Sequence, residues 1–138
     1  MRKLTKIEQV NADALGDVAL FHVTGTILSK NIQDCNAAIR DLLKREGVID
    51  YAELEPGDKV TLEGVYSDGT ETTISAYRAK TRGDKRIWFN SLKNYADAGD
   101  IMALVIRGGK LVIQNVTKGI AVAVFAIPAL DTMARMTF

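Results

Sequence analysis

Arg78, Lys80 and Arg82 occupy every second position of one short stretch, and Lys85 and Arg86 follow close behind. In an extended chain, residues spaced by two point to the same side. The three would form a comb of cations, with Tyr77, Ala79 and Thr81 turned the other way. Gly83-Asp84 turns the chain and Lys85-Arg86 brings it back, which puts five cations on one projecting arm. Anion recognition is the chemistry such an arm performs. Arginine donates two parallel hydrogen bonds to guanine O6 and N7, and lysine serves best as a phosphate contact. Tyr77, at the foot of the arm, belongs to the same candidate set. The charge is concentrated: Tyr77–Lys93 sums to +5 and the rest of the chain to −4, on a protein of net +1. One electropositive face on a nearly neutral protein attracts a polyanion, most often nucleic acid. The alternative is a solvated basic loop.

Other chemistries lack their residues. A nuclease of the common restriction type needs converging acidic metal ligands followed by an acid-x-Lys element. Asp58, Glu63, Asp68 and Glu71 are present, but no such element follows them. Serine or cysteine hydrolysis needs a base, and His22 is the only histidine, with no Gly-x-Ser-x-Gly beside it. Arg107-Gly108-Gly109-Lys110 is too short for a phosphate-binding loop and reads as a hairpin turn. One cysteine, Cys35, allows no internal disulfide, and one histidine leaves no zinc cluster. No catalytic residue, metal or cofactor is expected. The longest apolar run, Ile120–Leu130, has eleven residues, short of the roughly 20 that span a bilayer. The N-terminus lacks a signal-type apolar core, so the expected location is cytoplasmic.

The elements that must position the arm follow from periodicity. Val18–Leu28 is apolar and β-branched, and reads as one strand bent or bulged at Gly25, or as two short strands. Asn31–Glu46 reads as the clearest helix, with Ile32, Cys35, Ile39, Leu42 and Leu43 as its stripe, Ser29 or Asn31 as its cap and Gly47 as its end. The period then becomes alternating. Val48–Tyr51 is expected as a strand, Glu55–Asp58 as a turn, and Lys59–Tyr66 and Thr70–Ala79 as a hairpin about Ser67-Asp68-Gly69. Beyond the arm come a strand at Arg86–Phe89, one helical turn at Ser91–Tyr95, and strands at Ile101–Ile106 and Lys110–Val116. Trp88 is expected in the core, with stacking on a base as the alternative. Gly119–Leu130 is open between an eighth strand, an interface segment and the stump of a longer protein. Roughly seven short strands at this spacing predict a small barrel or strongly curved sheet.

The order of these elements over Lys59–Thr117 resembles the DNA-binding pseudobarrel superfamily, which includes the plant B-three domains and the N-terminal effector-binding domain of EcoRII-type restriction endonucleases. The resemblance lies in a strand pair turning at Tyr66-Ser67-Asp68-Gly69, the basic arm Tyr77–Arg86 and the aromatic strand Ile87-Trp88-Phe89. The short helix Ser91–Tyr95 and Ala98-Gly99-Asp100, which opens the apolar strand Ile101–Leu104, complete it. It implies a mainly β, α+β fold with two helices, an open seven-stranded β pseudobarrel. It also implies a grip on the major groove by two arms. Tyr77–Arg86 would be one. The other would run from Thr24-Gly25-Thr26 through Ser29-Lys30-Asn31, and adds Thr24, Thr26, Ser29, Lys30 and Asn31 as polar contacts.

The expected reading is a single domain over residues 1–138, carried best by 18–117, that binds double-stranded DNA sequence-specifically. The resemblance makes it the recognition or effector-binding part of a type II restriction endonuclease whose nuclease lies in another domain or subunit. The competing readings are a protein-interaction module and a nucleic-acid binder without base readout. A single-strand binder would need several aromatics exposed on one sheet face; the nine here are scattered, mostly at core-phase positions.

Overall fold

A computed structural model describes residues 1–119; the tail element expected over Gly119–Leu130 otherwise lies outside the described residues. Three α-helices are seen: α1 (Lys6–Leu15), α2 (Gly25–Lys30) and α3 (Ala37–Arg45). The strands are β1 (Ala19–His22), β2 (Ile32–Asp34), β3 (Lys59–Tyr66), β4 (Glu71–Arg78), β5 (Lys85–Phe89), β6 (Ile101–Arg107) and β7 (Lys110–Asn115). They form one seven-stranded sheet in the order β1-β6-β7-β3-β4-β5-β2. Neighbours are antiparallel, except that β3 and β7 run parallel. The sheet curls without closing, which is the open α+β pseudobarrel the sequence predicts. Among the described residues its two edge strands are β1 and β2.

Two cores explain the sequence pattern. Inside the curl, Phe21, Ile74, Ile87, Phe89, Met102, Leu104 and Ile113 pack with Ile27 of α2 and Ile39, Leu42 and Leu43 of α3. On the opposite face Ile101, Ala103, Val105 and Val112 pack with Ala12 and Leu15 of α1. Strand β6 is therefore buried on both faces and reads as a continuous apolar run. Strands β3 to β5 alternate because one of their faces stays open. Val65 joins the second core rather than the first, while Leu62 packs on the first.

The amino-terminal half departs from expectation. Of the expected Val18–Leu28 strand, Ala19–His22 pairs into the sheet as β1. The second half of that stretch is α2, because the Thr24 hydroxyl accepts the N–H of Ile27 (3.2 Å) and so caps a helix start. The long helix expected from Asn31 begins at Ala37, with Asn36 as its cap accepting from Ile39 N–H at 2.9 Å. Asn31 instead closes α2 in the left-handed region (φ 59°). Residues 32–34 pair with β5 instead, and Cys35 N–H donates to Lys85 O at 2.9 Å. The strand expected at Val48–Tyr51 does not form: residues 48–50 are irregular and Tyr51 opens the 3-10 turn Tyr51–Glu53. Helix α1 was not anticipated, although Thr5-x-x-Glu8 is a capping box: the Thr5 hydroxyl accepts Glu8 N–H, and the Glu8 carboxylate accepts Thr5 N–H.

Candidate nucleic-acid interface

The basic arm is the loop joining β4 to β5, and its backbone is closed rather than extended. Ala79 N–H donates to Asp84 O (2.9 Å), and Gly83 N–H donates to Ala79 O (2.8 Å). Residues 80–82 lie in the resulting turn, so spacing by two no longer sets the direction of their side chains. Arg78 leaves the comb altogether. Its Nε donates to Gly83 O at 2.8 Å and its Nη1 to Leu54 O at 2.7 Å. The guanidinium thereby ties the loop to the preceding turn, where Gly57 N–H donates to Arg78 O (2.8 Å).

The other cations of the loop differ in freedom. Lys80, Arg82 and Lys85 are exposed. The Lys80 stem passes over Gly57. Arg82 is 78% exposed and faces Asp84 at 3.6 Å. Arg86 is half-buried between two carboxylates, with Nη2 3.2 Å from Asp84 and Nε 3.7 Å from Asp34. Its position is fixed from behind by Tyr51, whose hydroxyl donates to Arg86 O at 2.8 Å. Burial pushes the Tyr51 hydroxyl far above its ordinary value, and raises the adjacent Cys35 thiol to about 11. Both stay protonated at neutral pH. Lys93, counted in the basic window, sits on the 3-10 turn Leu92–Asn94, past the other end of β5.

The second expected arm is the α2 segment. Thr24, Thr26, Ser29 and Lys30 are exposed. Thr24 serves as the helix cap, and Ser29 donates to Thr26 O at 3.1 Å. Asn31 binds this segment to β5, its carbonyl accepting Phe89 N–H at 2.8 Å.

Arg86, on β5 just past the loop, and the α2 segment meet at the open seam of the sheet. A cleft of about 560 Å³ lies there, lined by Thr24, Thr26 and Lys30 from α2, His22 from the end of β1, Gln33 and Asp34 from β2, and Arg86 from β5. Two of its lining residues carry a buried polar atom with no hydrogen-bond partner among the described residues: Gln33 Oε1, and Arg86 Nε, which has only the 3.7 Å ion pair with Asp34. Buried polar atoms are nearly always paired, with protein or with ordered water, which marks Gln33 Oε1 as a group able to accept from water or a ligand. The cleft residues His22, Gln33 and Asp34 were missed as candidates from the sequence. Gln33 and Asp34 fall in the stretch read as helix, where nothing marks them as an edge strand.

Tyr77 and Trp88 occupy the open face of the sheet. Register places Tyr77 opposite Arg86 and Trp88 opposite Ser75. Trp88 is half-buried on that face and not in the core as expected, because Ile87 and Phe89 take the inward positions of β5.

No known protein family, curated protein or solved structure matches the chain. Among the described residues, no helix is long and apolar enough to cross a membrane, and no group of three or more His, Cys, Asp or Glu could hold a metal ion.

Proposed function

We propose that the chain is a sequence-specific double-stranded DNA-binding domain of pseudobarrel type. The β4–β5 loop and the α2 segment would be its two arms on the major groove. The observation that carries the reading is the seam cleft, where Thr24, Thr26 and Lys30 of one expected arm and Arg86 of the other line a common wall. Gln33, which also lines it, has a buried Oε1 with no hydrogen-bond partner among the described residues. Lys80, Arg82 and Lys85 stand exposed on the loop that leads into Arg86. In this reading Lys80, Lys85 and Lys30 hold phosphates, while Arg82 and the Gln33 amide read base edges. Arg78 shapes the loop.

The resemblance of Lys59–Thr117 to the pseudobarrel superfamily supports the finer assignment. This is the recognition or effector-binding domain of a type II restriction endonuclease, with cleavage performed by a separate domain or subunit. A cytoplasmic location goes with that role.

Selection from random duplex DNA, followed by gel shift of the winner against scrambled duplex, tests the reading. A short enriched site bound at least ~10³-fold tighter than scrambled DNA is the expected result. Equal binding to both leaves a binder without base readout. Binding to neither removes the DNA reading.

A further inference from the structure

We propose that the open sheet face beside the loop carries a stacking site for one unpaired nucleotide, walled by Tyr77 and Trp88 and charged by Lys59. This site adjoins the seam cleft through Arg86, the cross-strand neighbour of Tyr77, but shares no lining residue with it; its ligand is single-stranded, so it does not depend on duplex recognition.

The strand register builds the site. Tyr77 lies opposite both Lys59 and Arg86, and Ser75 opposite both Thr61 and Trp88. Cross-strand partners share a face, so Lys59, Ser75, Tyr77 and Trp88, with Thr61 and Arg86, all rise on the same side of β3, β4 and β5. Their chain neighbours Ile74, Ala76 and Ile87 point the other way into the core. The helices pack elsewhere: α2 and α3 on the inner core and α1 against β6. A cavity of about 220 Å³ remains between Lys59, Ser75, Tyr77 and Trp88. Ser75 is its floor, only 5% exposed despite its outward position. Tyr77 and Trp88 are half-buried walls, and Lys59 is exposed at the rim without an ion pair among the described residues.

Each part has a counterpart in a nucleotide. Two aromatic walls accept a planar ring, and base–aromatic stacking tolerates any base because every base has a π-face. A hydroxyl on the floor both donates and accepts, which suits the edge of an unpaired base. An unpaired ammonium at the rim fits the attached phosphate. A base inside a duplex cannot enter, since its faces are already stacked on its neighbours. Single-stranded nucleic acid is therefore the occupant this chemistry selects.

Trp88 is the only tryptophan, so intrinsic fluorescence reports from this pocket. The full chain is titrated with a single-stranded oligothymidylate of about eight nucleotides, within the usual range of single-strand site sizes. Saturable quenching is expected. Tyr77→Ala should weaken it roughly tenfold and Tyr77→Phe should restore it, since a phenyl ring stacks as well. Lys59→Ala, at an exposed position that leaves folding intact, should weaken it at low salt and make it less salt-sensitive. The same proteins are assayed against the selected duplex. Quenching that persists where duplex binding fails upholds this site and removes the duplex reading. Duplex binding without quenching removes this site alone. Quenching that neither Tyr77→Ala nor Lys59→Ala alters also overturns it.

Discussion

Arg78 and Gly83 lock the β4–β5 loop: the guanidinium Nε donates to the Gly83 carbonyl at 2.8 Å, and a Cβ on Gly83 would lie 2.6 Å from Arg78 Nη2. The glycine also sits at φ +73°, in the left-handed region. Arg78→Ala removes two hydrogen bonds from a charged donor and is expected to cost about 2 kcal/mol. Gly83→Ala is expected to cost a similar ~1–2 kcal/mol through its backbone, and more if the guanidinium is displaced. Because both act on one lock, the double variant should lose less than the sum in denaturant melts. Full additivity would show that the two residues act independently.

Arg82→Ala should behave in the opposite way. The side chain is 78% exposed and its described ion pair with Asp84 is long, at 3.6 Å. Exposed pairs contribute little to stability, so the melting temperature should not move. Affinity for the selected duplex should fall by about 1–3 kcal/mol and preference should relax at one base position. Unchanged gel shifts would take Arg82 out of the interface. Alanine at Arg78 and at Arg82 thus separates a loop-shaping arginine from a contacting one, although both belong to the same sequence comb.

The salt dependence follows from the same division. Five arm cations on phosphate would give a slope near −4.5 in log K against log salt. With Arg78 committed to carbonyls, Arg86 to carboxylates and Arg82 to a base edge, Lys80, Lys85 and Lys30 remain. About three phosphates correspond to a slope near −2.7. Titrations at several salt concentrations measure it. A flat response would rule out the loop as the contact surface.

Glu8 supplies a pH prediction. Its buried carboxylate accepts from the Arg2 guanidinium (2.7 Å), the Thr117 hydroxyl and the Thr5 N–H, and so pins α1 to the chain beyond β7. The Arg2 hydrogen bond is the chief reason its pKa falls well below the ordinary 4.5, against the opposing effect of burial. A depressed folded-state pKa means that the unfolded chain takes up the proton first. The stabilisation is complete above the unfolded value and is lost as pH falls toward the folded one. Melting temperature should therefore drop between about pH 5 and about pH 3, and drop less in Glu8→Gln, which starts lower. Parallel curves for the two proteins would show that the ionised form of Glu8 has no part in this stability.

The sheet from β3 to β7 was legible because its strands announce themselves. One-sided burial writes alternation into β3–β5, two-sided burial writes the apolar run of β6, and Ser67-Asp68-Gly69 and Gly108-Gly109 mark the hairpins. The seam was not legible. Elements α2 and β2 are six and three residues long, too short for a period of 3.6 or 2 to declare itself. Ile32 and Cys35 happen to extend the stripe of α3 backwards, so an edge strand read as helix. Conversely, the Thr5–Glu8 capping box was a readable start for α1. The basic loop was found by charge alone, but charge could not tell that its first arginine faces backbone carbonyls. That depends on the closed turn at residues 79–84, which only the paired strands impose.

Gln33 is where seam geometry and recognition can be tested together. It lies on edge strand β2, lines the cleft and buries an Oε1 that has no partner among the described residues. A buried polar atom without a partner detracts from stability, and replacing it with an apolar group of similar shape is neutral or favourable. Gln33→Leu should therefore leave the melting temperature unchanged or raise it. If the amide serves the ligand, the same change should weaken the selected duplex by about 1–3 kcal/mol, with the loss concentrated on an adenine, whose N6 and N7 an amide pairs with in two bonds. Loss of stability without loss of binding would mean that the amide belongs to the fold. Gain or retention of stability with loss of binding would mean that the seam keeps an unsatisfied group for its partner.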